Sequence, residues 1–242
     1  MAAGKNLRSV PWKISDAAWL LVIYWLILPL AIVLIGLVGS YYWHPVAVIV
    51  DLWRKQDVTV SFVLDAVVGA AGLGIAWFIV RRRGGSWRDL GWRRFNVAKA
   101  IGFVLAVFVV FVLAAAALAW VIQNFIPLYD TNQPQTNDFT ASGVITTNWA
   151  LIALVIMPPI IEETIFRGFI LPAAAQKMGF WPGAVVTSLI FGFAHGQVNV
   201  GVYTFILGMV FSYLYRKFDS IIPGVMLHTL NNLVSYWAMT SK

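Results

Sequence analysis

Two adjacent glutamates stand in the middle of an apolar segment, Glu162 and Glu163 within Ile161-Glu-Glu-Thr-Ile-Phe-Arg167. An ionised carboxylate in hydrocarbon costs about 3 kcal/mol on insertion scales and more on an isolated helix. Packing gives no reason for two side by side, so the pair marks a functional site at membrane depth. Glu163 and Arg167 are four apart with the acid first, the favourable order for pairing on one helix face. Glu162 is turned about 100° from Glu163 and does not share that partner equally. The spacing therefore divides the roles: Glu163–Arg167 is an electrostatic brace, and Glu162 faces a cavity, where a carboxylate suits general base or acid work.

Only three histidines occur, His44, His195 and His228. His195 ends the run Phe191-Gly-Phe-Ala-His195, and His228 opens His228-Thr-Leu-Asn-Asn232. His228 and Asn232, at i and i+4, share one helix face. A glutamate, two histidines and an asparagine around a wet pocket fit hydrolysis without a covalent nucleophile. In that chemistry Glu162 activates water with help from His195, while His228 and Asn232 donate to the oxyanion. The chain has no cysteine and no serine in a G-x-S-x-G turn, so thiol and serine mechanisms lack support. Glu162, His195 and His228 are alternatively a ligand set for a divalent metal, although H-E-x-x-H is absent. The cofactor is thus either none or one divalent ion, zinc first among candidates. His44 reads as a loop residue outside the site.

Composition sets the surroundings of this chemistry. Of 242 residues 60% are hydrophobic and 11% charged, with a mean hydropathy of +0.80, the profile of an integral membrane protein rather than a soluble domain. The 17 Lys and Arg against 10 acids reflect topology and attraction to anionic headgroups, with the bilayer rather than nucleic acid as partner.

The chain reads as all-α, a polytopic membrane helix bundle of about seven transmembrane helices (six to eight) with a cytoplasmic N-terminus. The basic start (Lys5, Arg8, Lys13) leads into a retained first span near 17–39, followed by a mixed loop over 43–60. A second span covers 61–80, with Asp65 near its outer end. Residues 81–99 hold six arginines and form a cytoplasmic loop, in which Trp87 and Trp92 suit an interfacial helix. A third span runs near 100–122, and 124–148, without Lys or Arg, forms an external loop. The fourth span, 149–171, carries the glutamates. Pro158-Pro159 predict a break or kink there, which would put the acid pair near the start of a new segment and its helix dipole. Further spans near 182–195, 200–215 and 221–239 supply the histidines, with Gly208 and Ser212 as a close-packing face. Residues 1–148 thus hold the N-terminal helices and basic loop, and 149–242 the catalytic core, within one membrane domain.

Glu162-Glu163-x-x-x-Arg167, Phe191-x-x-x-His195 and His228-x-x-x-Asn232, in that order, resemble the motifs of the CPBP family, the CAAX-type prenyl endopeptidases and bacteriocin-processing or immunity proteins also called Abi. The context Met157-Pro-Pro-Ile-Ile-Glu-Glu-Thr-Ile-Phe-Arg-Gly168 agrees, as does Gly91-Trp-Arg-Arg94. The resemblance implies an intramembrane protease, metallo- or glutamate-type, acting on a peptide or lipidated-protein substrate. It implies a prokaryotic plasma membrane and a cavity open to the cytoplasm. Glu162 and His195 would activate water, His228 and Asn232 would be oxyanion or ligand groups, and Glu163 and Arg167 would support them. A non-proteolytic membrane binding, immunity or scaffold protein with the same cavity is the alternative. A transporter or proton relay is a third, with no inverted repeat to favour it.

Overall fold

The computed structural model describes residues 8–55, 57–125 and 151–240. The expected external loop beyond Phe125, Trp149 of the fourth span, Lys5 and Lys242 lie outside the described residues. Among the described residues there is no strand, and eight helices account for most of them. They are α1 Ile14–Tyr42, α2 His44–Arg54, α3 Val58–Arg82, α4 Val97–Phe125, α5 over 152–178, α6 Phe180–Phe193, α7 Val198–Phe218 and α8 Ile222–Thr240. Four of them are long and apolar enough to cross a bilayer: α1, α3 over Thr59–Arg82, α4 and α7. α6 is apolar but short, and α5 and α8 carry the polar groups of the site. Their departure from a plain hydrocarbon span is the mark of helices that face a protein interior.

Large side chains such as Leu26, Leu30, Ile35 and Val38 on α1 and Val110 and Leu113 on α4 are exposed. On a soluble protein this would be an aggregation liability; in a bilayer it is the lipid-facing surface. The interior is aromatic, built from Phe166, Phe169, Phe191 and Phe211 with Leu207, Leu214 and Leu227.

Three local expectations are corrected. Residues 44–54, expected as loop, form α2, because Pro45 suits the first helical turn and glycines in α1 let the two helices close into a hairpin. An added Cβ on Gly39 would sit 3.1 Å from Val46, and one on Gly36 would sit 3.4 Å from Val50. Residues 83–92 form turns instead of an interfacial helix. Gly84 and Gly91 adopt φ of +77° and +85°, values at which glycine pays no steric penalty. The Ser86 backbone N–H and hydroxyl both donate to the Asp89 carboxylate, at 2.8 and 2.7 Å. The loop is part of the core: Ile221 N–H donates to the Gly91 carbonyl at 3.0 Å, and a Cβ on Gly168 would collide with the Leu90 carbonyl.

The third correction concerns the break expected at Pro158-Pro159 and the place of the acid pair. α5 does not break; it widens to π-helix over Ile152–Ile156, returns to α over Met157–Glu163, widens again over Thr164–Ile170, and ends as α over Leu171–Met178. The wider turn accommodates two residues without a backbone donor. Glu162 and Glu163 consequently close the α-helical stretch rather than open it, and no helix N-terminus supports them.

The basic segments meet at one end of the bundle. Arg8 pairs with Asp219 at 3.1 Å and Arg83 with Asp16 at 2.8 Å, and Arg93 also pairs with Asp219. The residues before α1 are seated on α5: the Trp12 ring stacks on Phe169 at 5.1 Å, its indole N–H donates to the Phe169 carbonyl at 2.8 Å, and Val10 N–H donates to Gln176 Oε1 at 3.1 Å.

Candidate functional site

Glu163 and Arg167 form the expected ion pair, Nη1 to Oε1 2.9 Å, with both side chains at 0% exposure. The guanidinium lies over Phe191 at 4.4 Å and Phe211 at 4.9 Å, and cation–π attraction strengthens when the cation is desolvated. Two glycines give the pair room. A Cβ on Gly208 would stand 2.8 Å from Arg167 Nη2, and one on Gly224 would stand 3.1 Å from Glu163 Oε2. Gly208 and Ser212 are buried on the packing face of α7, as their spacing indicated.

His228 is 5% exposed and stands between the two glutamates. Its Nδ1 is 3.4 Å from Glu163 Oε1 and its Nε2 is 3.8 Å from Glu162 Oε2. The ring stacks on Phe211 at 4.9 Å. Because carboxylates only accept, His228 donates toward both only when both nitrogens carry protons. Glu162 is less isolated than its spacing implied, since it shares this imidazole with Glu163. Its side chain nevertheless keeps 27% exposure and lines two pockets, of about 350 and 190 Å³.

His195 follows the end of α6, exposed, with its Nδ1 2.8 Å from the Phe191 carbonyl. A carbonyl cannot donate, so Nδ1 carries a proton, and the neutral tautomer that this bond selects has its lone pair on Nε2, facing away from Phe191. His195 and Glu162 line both pockets, and His228 and Asn232 join them on the smaller one. All four expected site residues therefore share the wall of one pocket. Asn232 Nδ2 donates to the Leu154 carbonyl at 3.0 Å, which commits one of its two amide hydrogens. His44, exposed at the start of α2, lines neither pocket.

Among the described residues no three His, Asp or Glu side chains converge as a metal-ligand cluster. Glu162, His195 and His228 line one pocket without forming a ready ligand set for the divalent ion considered from sequence.

Several polar residues of these pockets were not apparent as site residues from the sequence, Thr204, Ser235 and Tyr236 of the smaller one among them. Tyr24 lines the larger pocket, and so does Asp65. The only signal for it was an acid in an apolar span. Tyr203 and Asn231 line the smaller pocket, and nothing in their local sequence distinguishes them.

The fold and site define an integral membrane protein with a polar pocket enclosed by apolar helices. Its C-terminal region resembles the family that the three motifs indicate: residues 144–234 match the model of the type II CAAX prenyl endopeptidase Rce1-like family. The chain is 30% identical over 82 residues to a Bacillus subtilis (strain 168) protein named "Putative membrane peptidase YdiL", a stretch covering 34% of each chain. It is 27% identical over 141 residues to an Escherichia coli protein named "Uncharacterized 24.3 kDa protein", covering 56% of this chain and 61% of the other. The chain thus spans about a third and three fifths of the lengths of these relatives. No solved structure matches it.

Proposed function

We propose that this protein is an intramembrane endopeptidase of glutamate type, cleaving a peptide bond in a membrane-associated, CAAX-like lipidated protein. The observation that carries this reading is the Glu162 carboxylate on a pocket wall shared with His195, with His228 Nε2 3.8 Å away. Water held between Glu162 and His195 Nε2 loses a proton to Glu162 as its oxygen bonds to the scissile carbonyl carbon. His228 and the second amide hydrogen of Asn232 donate to the oxyanion that forms. Collapse of that intermediate breaks the C–N bond, and Glu162 returns the proton to the leaving amine. Glu163–Arg167 holds His228 from its Nδ1 side. The resemblance to the Rce1-like family supports the substrate class.

Glu162→Gln and His195→Ala, purified in detergent, are assayed on a prenylated CAAX peptide. Cleavage should fall at least about a hundredfold, the scale of general acid–base catalysis, with thermal stability retained. Unchanged cleavage in both variants overturns the mechanism. Peptide binding without cleavage in the wild type selects the binding or scaffold reading instead.

A further inference from the structure

The covalent sequence orphans one carbonyl beside the pocket. In an α-helix the Leu154 carbonyl accepts from the N–H of residue 158, and in a π-helix from that of residue 159. Both are proline and have no N–H. An unsatisfied carbonyl inside a membrane protein is costly, so a donor from outside the helix is required. Asn232 of α8 supplies it, with Nδ2 3.0 Å from the Leu154 oxygen.

That first bond determines the others. Because the Leu154 carbonyl only accepts, Asn232 must turn its NH₂ toward α5 and its Oδ1 away. Asn231 Nδ2 lies 3.4 Å from that Oδ1, so Asn231 in turn presents its own Oδ1 outward. The Tyr203 hydroxyl of α7 donates to it in a short hydrogen bond, and the Tyr203 ring is held edge-on by Phe111 of α4, centroids 5.0 Å apart. Every amide orientation in the chain Tyr203→Asn231→Asn232→Leu154 follows from two prolines, without appeal to the usual ambiguity of amide oxygen and nitrogen. All four residues line the smaller pocket, and Asn232 lies one helical turn from His228.

We infer that Tyr203 and Asn231 are positioning residues, which lock the Asn232 amide and tie α8 to α5 so that one Asn232 hydrogen is presented to the pocket in a fixed direction. Its catalytic consequence rests on the endopeptidase reading; its structural content does not. Two double-mutant cycles, read by thermal unfolding of the full chain in detergent, test the structural content. Tyr203→Phe and Asn231→Leu should each lower Tm by about 2–4 °C, and together by no more than either alone. Asn232→Ala should cost less in a Pro158→Ala background, where residue 158 regains an N–H for the Leu154 carbonyl. Additive shifts in both cycles overturn the relay, whatever the protein's activity.

The catalytic consequence is read on the prenylated CAAX peptide. Tyr203→Phe should lower kcat about tenfold, an effect of one lost orienting hydrogen bond, with KM unchanged. Coupled Tm shifts with an unchanged kcat would reduce the relay to a structural tie and overturn the positioning role. A wild-type protein without peptidase activity would sink the endopeptidase reading while leaving the thermal cycles to decide the relay.

Discussion

Replacing Arg167 with alanine strips Glu163, fully enclosed among α5, α7 and α8, of its guanidinium partner. What remains is His228 Nδ1 at 3.4 Å. Removing one member of a buried ion pair costs about 3–5 kcal/mol, because the survivor stays desolvated and unpaired. The substitution also empties the slot between the Phe191 and Phe211 rings, at 4.4 and 4.9 Å from the guanidinium carbon. For a chain of this size each kcal/mol moves Tm by roughly 2–4 °C, so the expected fall is about 6–20 °C. Unfolding in detergent followed by tryptophan fluorescence measures it. Arg167→Lys should recover only part, since a flexible ammonium does not fill the planar slot between two rings. The pair Glu163→Gln with Arg167→Met, which removes both charges together, should be markedly more stable than Arg167→Ala. A Tm within about 2 °C of wild type for Arg167→Ala, at a site whose loss should cost 3–5 kcal/mol, would refute the electrostatic reasoning.

Other perturbations have equally definite outcomes. Gly168→Ala should abolish accumulation of folded protein, because its methyl group collides with the Leu90 backbone; normal yield on size-exclusion chromatography would contradict this. Gly208→Ala would bring a methyl to 3.0 Å from Ser188 Oγ and closer still to Arg167, so Tm should fall, with partial recovery in a Ser188→Gly background. The natural lack of cysteine gives a clean background for thiol labelling: Ser86→Cys at the basic end and Tyr42→Cys at the far end of α1 should react with an impermeant maleimide from opposite sides of the membrane. Labelling of both from one side would overturn the topology. Trp12→Ala should release the residues before α1 from Phe169, seen as faster proteolysis N-terminal to residue 14 with activity retained.

What was legible in the sequence was local or compositional. The Glu163–Arg167 pair follows from four-residue spacing, and the lipid-facing helices follow from apolar runs of sufficient length. The position of His228 between both glutamates was not legible, because it depends on how α8 leans against α5. Stacking of Trp12 on Phe169 joins residues 157 apart, and neither neighbourhood announces the other. α2 was hidden by its charges, Asp51 and Arg54, with Lys55 just beyond it, which resemble a loop until Gly36 and Gly39 are seen to accept its valines. The proline pair was half legible. Loss of two donors was certain from residue type, but whether the helix breaks or widens depends on neighbours able to satisfy the freed carbonyl, and Asn232 is one.

The seating of Trp12 on Phe169 has a consequence for biogenesis. Translation delivers the indole first and its landing place 157 residues later, a delay of roughly ten to thirty seconds at ordinary ribosome speeds. Through that interval the nascent segment around Trp12 has no final berth, and it can dock only once Phe169 of α5 has been made. A bulky reporter fused ahead of residue 8 should therefore impair maturation more than the same reporter fused at the other terminus, with pulse-chase protease resistance as the readout.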